Sequence, residues 1–81
     1  MKKLFYYSSA GCVPCQTFGP IMDQLSPVIS VVKVNVDYEA ELTARANVRS
    51  VPTVILVENE QEVRRFVGAK SYQQVIDFIN G

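Results

Sequence analysis

Apolar positions in this chain change their spacing from one stretch to the next, and each spacing predicts an element. Lys2 to Tyr7 is short and rich in aromatic residues, which predicts a strand. Ser8 to Gly11 reads as a loop. From Val13 to about Leu25, Cys15, Phe18, Met22 and Leu25 fall at helical intervals, with Ile21 widening the stripe. Pro14 suits a first helical turn, where a missing N–H costs nothing. Pro20 lies in the interior, removes the bond to the Gln16 carbonyl and is expected to kink the helix. Ser26-Pro27 ends it.

Val31 to Val36 predicts a second strand, in which Val32, Val34 and Val36 alternate with Lys33 and Asn35. Asp37 is the expected N-cap of a short helix over Tyr38 to Ala46. Glu39 and Glu41 then fall in its first turn, Arg45 in its last, and Asn47 provides a left-handed stop. Thr53 to Val57 is a β-rich third strand. Glu58 to Gln61 is a polar turn leading into a fourth strand, Glu62 to Val67, and so short a connection predicts an antiparallel hairpin. Gly68 breaks the pattern. Ser71 with Gln74 has the spacing of a capping box, and the helix that follows is expected to bury Tyr72, Val75, Ile76 and Ile79. The order is βαβαββα in a single domain over residues 1–81. The first two strands flank a helix and should be parallel, with a right-handed crossover.

Composition narrows the function classes. The chain has 81 residues, 48% of them hydrophobic and 20% charged, which fits a folded domain. Eight Lys and Arg balance eight Asp and Glu, so nothing suggests a nucleic-acid partner or an anionic membrane surface. Apolar runs fall far short of the ~20 residues that a membrane span needs. Histidine is absent, which removes His-based triads and His metal ligands. The start, Met1-Lys2-Lys3, faintly resembles the charged region of a signal peptide, but the apolar run after it closes at Ser8 and Ser9. The chain therefore reads as cytosolic, where a C-x-x-C is more often redox or metal chemistry than a structural bridge.

The two cysteines, Cys12 and Cys15, stand three positions apart. A bridge between them closes so short a loop that the chain-entropy gain is roughly 2 kcal/mol before strain. Chemistry explains the spacing better than stability does. Gly11-Cys12-Val13-Pro14-Cys15 lies between a predicted strand and a predicted helix. Cys12 falls at or near the helix N-cap, where unpaired N–H groups and the positive end of the helix dipole favour a thiolate. Cys15 lies about one turn on, towards the apolar stripe. Cys12 is therefore the expected exposed nucleophile, and Cys15 the shielded thiol that resolves a mixed disulfide.

The chain resembles the thioredoxin family, of a short kind that begins at the family's second strand. Cys12-Val13-Pro14-Cys15 resembles the family's redox motif, with Val in place of the usual Gly. Pro20 matches the proline of its active-site helix. Lys33-Val34-Asn35-Val36-Asp37 resembles its third strand, Val51-Pro52-Thr53 the segment holding its cis-proline, and Val67-Gly68-Ala69 the stretch before its last helix. The resemblance implies a four-stranded mixed sheet of order 2-1-3-4 flanked by three helices. The Val31–Val36 strand would then lie at an edge protected by Lys33. It also implies a cis bond at Pro52 that turns the Val51 backbone towards the cysteines. Gly11, Val13, Pro14, Val51, Pro52 and Gly68 would form the substrate-binding surface, receiving an extended backbone as an added strand.

This sequence departs from the family at three positions near the motif. The tryptophan before the first cysteine is Gly11, the buried aspartate falls at Tyr6, and a common basic residue after the motif is Gln16. Tyr6 has two readings: a core aromatic with its hydroxyl satisfied elsewhere, or a proton-handling group beside Cys15, able to donate but a poor base at pH 7. Lys33 reads as edge protection, and Pro52 and Gly68 have plain readings as a strand-entry proline and a turn. Arg64 and Arg65 alternate across a strand, and at least one should be solvated.

The reading that follows is a dithiol–disulfide oxidoreductase, a general protein disulfide reductase acting as a monomer on disulfide-containing protein substrates. The resemblance implies thioredoxin reductase as electron donor. No cofactor is expected, because no Gly-rich phosphate loop is present for a flavin or nicotinamide. One rival is a glutaredoxin-like enzyme reduced by glutathione, although Gly68-Ala69-Lys70-Ser71 lacks that family's paired glycines and acidic residue. A second is a non-catalytic module whose cysteines bind metal between two subunits. A third reverses the chemistry, making the protein an oxidant or isomerase.

Overall fold

The computed structural model describes residues 1–81. Seven elements follow in the order βαβαββα: β1 Lys2–Ser8, α1 Val13–Asp23, β2 Ser30–Asn35, α2 Ala40–Arg45, β3 Thr53–Glu58, β4 Gln61–Val67 and α3 Tyr72–Asn80. The strands form one sheet of order β2-β1-β3-β4. β1 and β2 are parallel, while β3 is antiparallel to both β1 and β4. Sheet order and hairpin match the sequence expectation.

The alternation along β1 and β3 divides the molecule into two packed layers. Leu4 and Tyr6 of β1, with Val54 and Leu56 of β3, meet Phe18 and Met22 of α1 and Val75 and Ile79 of α3. Tyr7 and Ile55 face the other way, with Val34 of β2, beneath α2 and the segment after it. An edge-to-face aromatic series runs through the first layer, Tyr6–Phe18–Phe66–Phe78, with centroid spacings of 5.6, 6.1 and 4.8 Å.

The predicted stripe of α1 is buried in full at Cys15, Phe18, Met22 and Leu25. The helix itself stops at Asp23, and Leu25 is buried from the turn beyond, where its carbonyl accepts from the N–H groups of Val28 and Ile29. The capping box of α3 is present: Gln74 N–H donates to Ser71 Oγ, and Ser71 N–H to Gln74 Oε1. Asn47 is left-handed at φ 58°, as expected of a helix stop.

Three expectations need correction. Asp37 does not cap α2. The Asn35 side chain accepts from Asp37 N–H, and its carbonyl accepts from Tyr38 and Glu39, so these residues form a turn and the helix begins only at Ala40. Tyr72 is 37% accessible, at the edge of the apolar face of α3. Neither arginine of the Arg64-Arg65 pair is fully solvated, because each closes a helix end. Arg64 donates to the Phe78 carbonyl in α3 at 3.0 Å. Arg65 donates to the Ala46 carbonyl at the end of α2 at 2.8 Å and is paired with Glu62. The strand pairing shifts between Leu56 and Val57, so Leu56 faces Arg64 while Val57 faces Glu62, and Val63 is the extra residue of a bulge.

Candidate functional site

Register collects the loops at one rim of the sheet. Ser8 pairs with Asn35, Tyr7 with Thr53, and Thr53 with Val67. The segments leaving β1, β2 and β4 and the one entering β3 therefore share that rim. It carries Gly11 to Cys15, Val51-Pro52 and Val67-Gly68 together.

Cys12 is the N-cap of α1, in an extended conformation at φ −87° and ψ 106°. The Cys15 N–H donates to Cys12 Sγ at 3.2 Å, so an orphan amide of the first helical turn is satisfied by sulfur. Pro14 sits in that turn, where its missing N–H leaves no further donor unpaired. Cys12 and Cys15 are joined in a disulfide with a Cα–Cα separation of 5.2 Å. Whole-residue accessibility in the disulfide form is nearly the same for the two cysteines. Cys12 is 8% accessible and Cys15 7%. What separates them is position: Cys12 holds the cap, and Cys15 begins the buried stripe of α1.

Around this pair, Gly11, Val13 and Pro14 are exposed, Val13 at 71%. The Val51–Pro52 bond is cis. Pro52 is fully buried and Val51 half-buried, so what this segment offers at the surface is the Val51 side. Gly68 N–H donates to the Pro52 carbonyl at 2.9 Å, and Gly68 has φ +96°, a conformation that excludes a larger residue there without strain. Val67, beside it, is 59% accessible. Sequence reasoning passed over Val67 as the end of a strand. The available signal was an apolar residue directly before a chain-turning glycine on the last strand.

Tyr6 is a core aromatic whose hydroxyl is satisfied by backbone next to the cysteine pair. Its ring belongs to the core at 3% accessibility, and its hydroxyl donates to the Cys15 carbonyl. That bond is long, 3.4 Å, and correspondingly weak. Burial pushes the Tyr6 phenol above its ordinary pKa, partly offset by the Ser8 hydroxyl and the Lys33 ammonium. The group is thus a neutral donor at pH 7. Lys33, on the edge strand β2, forms an ion pair with Asp23 at the end of α1.

A redox-spaced cysteine pair at the N-terminus of a helix, leaving the strand end of a mixed α/β sheet, defines a dithiol–disulfide oxidoreductase. The family model described as thioredoxin matches residues 2–81. Thioredoxin from Haemophilus influenzae is 40% identical over 73 residues, covering 85% of this chain and 68% of that protein. Thioredoxin from Chlamydia pneumoniae is 33% identical over 72 residues, covering 85% and 71%. The crystal structure of Fasciola hepatica thioredoxin superposes with a TM-score of 0.90 at 27% identity, covering 98% of this chain and 78% of that one. A thioredoxin variant from Halobacterium salinarum gives a TM-score of 0.92 at 28% identity, with 98% and 72% covered. The chain belongs to the thioredoxin family. Membership implies disulfide-containing protein substrates and, in general, a reductase that restores the dithiol. No helix is long and apolar enough to cross a membrane.

Proposed function

We propose that this protein is a general protein disulfide reductase in which Cys12 is the nucleophile and Cys15 the resolving thiol. The Cys12 thiolate attacks one sulfur of a substrate disulfide, forming a mixed disulfide and expelling the other substrate sulfur as a thiolate. Cys15, deprotonated, then attacks Cys12 Sγ. The intramolecular disulfide forms, the second substrate thiolate leaves, and two electrons have passed to the substrate. Thioredoxin reductase would return them, with the protein acting as a cytoplasmic monomer.

The observation that carries the assignment is the 3.2 Å hydrogen bond from Cys15 N–H to Cys12 Sγ. Only the sulfur at the cap receives this donor and the helix dipole, and both favour its anionic form. Val13 and Val67 supply exposed apolar surface on the same rim, and Val51 backbone is the proposed partner for an extended substrate. Tyr6 is proposed as a positioning residue, holding the Cys15 carbonyl and, with it, the first turn of α1.

Trapping separates the roles. Cys15→Ser is expected to accumulate mixed disulfides with protein substrates, and Cys12→Ser to form none. Trapping by Cys12→Ser alone would reverse the assignment. Equilibration in glutathione buffers, read by alkylation and mass, tests the direction. A midpoint below about −230 mV fits a reductase, and one near −180 to −120 mV marks an oxidant or isomerase. Tyr6→Phe is expected to slow the resolving step and shift its pH profile while leaving attack by Cys12 unchanged.

A further inference from the structure

On the sheet face turned away from α1 and α3, a cavity of about 410 Å³ opens between the strands and α2. Phe5, Tyr7, Ile55, Val57, Leu42 and Ala46 supply its apolar wall. Tyr7 is only 2% accessible. Its hydroxyl makes no hydrogen bond within the protein, yet no fully buried side-chain nitrogen or oxygen is left unpaired, so the hydroxyl keeps some access to solvent, and Tyr7 lines the cavity. A tyrosine buried over its ring normally finds a partner for its O–H. Burial also raises the Tyr7 pKa, which keeps the phenol a donor at neutral pH.

Charge at the mouth selects the kind of partner. Glu62 is held by Arg65, and Arg45 is paired with Glu41. Of the charged residues lining the cavity, that leaves Lys3 and Glu60, of opposite sign and outside any ion pair. A balanced mouth gives an ion no advantage, and an apolar wall penalises one. The lining of ten residues is on the scale of a compact ligand. The volume falls within the roughly 300–1,000 Å³ typical of small-molecule sites.

We propose that this cavity binds a neutral aromatic small molecule carrying one hydrogen-bond-accepting oxygen, its rings against Phe5, Ile55 and Val57 and its oxygen on the Tyr7 hydroxyl. The site lies across the sheet from the cysteine-bearing helix and does not depend on the direction of the redox reaction.

Benzophenone and diphenylmethane test it, because they share a shape and differ by the carbonyl. Each is titrated into the full-length protein and followed by amide chemical shifts. Saturable shifts confined to the cavity-lining residues are expected, with benzophenone the tighter ligand. Tyr7→Phe should weaken benzophenone roughly five-fold, the worth of one neutral hydrogen bond, and leave diphenylmethane unchanged. Ala46→Phe should block both ligands. Leu42→Phe, at a more exposed helical position, serves the same purpose if that variant does not fold. The proposal is overturned by non-saturating or scattered shifts, by equal loss of both ligands in Tyr7→Phe, or by self-association in which a second copy covers the wall.

Discussion

The two faces of the sheet are covered unequally. α1 and α3, 11 and 9 residues long, lie over one face, where nine buried residues form a continuous cluster. α2 has six residues and lies over the other, where the buried cluster is Tyr7, Val34 and Ile55. Both cysteines ride on the well-packed side. A nucleophile needs a fixed position, and the interlocked rings of Tyr6 and Phe18 beneath α1 supply it. The thin side carries the cavity. Dense packing and open space are thus divided by one sheet, so the two sides can be perturbed separately.

The largest expected effect comes from two neighbours on β3 that point in opposite directions. Leu56→Ala, on the dense side, should cost about 4 kcal/mol, and Ile55→Ala, beside the existing cavity, about 2 kcal/mol. Denaturant unfolding of both variants measures this. Equal losses would break the comparison. The arginines sharpen it by naming which helix each side loses. Arg65→Ala should cost about 1–2 kcal/mol after discounting for solvent, and should speed amide exchange in α2 but not in α3. Arg64→Ala should cost about 1 kcal/mol and do the reverse.

The smallest effect is one of pH. The Arg65 hydrogen bond holds the Glu62 carboxyl below its ordinary pKa, against a smaller opposing push from burial. A depressed folded-state pKa means that the pair stabilises the protein above the ordinary glutamate value of about 4.3, and that this is lost as pH falls through the lower folded value. Glu62→Gln should therefore flatten the acid limb of a stability–pH curve and leave its neutral region nearly parallel to the parent.

What could be read from sequence was local or periodic. The α1 stripe, the α3 capping box and the Asn47 stop all depend on residues within one or two turns of each other. The redox pair was legible because three-residue spacing at a strand-to-helix junction is itself the chemical arrangement. The start of α2 was misread because two residue types compete for the same job. Asp37 has the side chain of a cap, but Asn35 accepts its N–H and, through its carbonyl, those of Tyr38 and Glu39, so the chain turns there and the helix starts only at Ala40. The near-equal burial of Cys12 and Cys15 depends on the rim loops, which no period encodes. The tasks of Arg64 and Arg65 were illegible for a different reason: they depend on where β4 is interrupted.

That interruption turns the length of β4 into a matter of odd and even. Residues three apart on a regular strand point to opposite faces, yet Glu62 and Arg65 share one and bind at 2.6 Å. Val63, the added residue, changes the parity between them. Were Val63 drawn into a regular ladder, Glu62 would turn towards α3 and Arg65 would stand above α2 without its partner. The pair therefore needs an even step along the ladder: two residues of a regular strand, or three with one bulged out, as here.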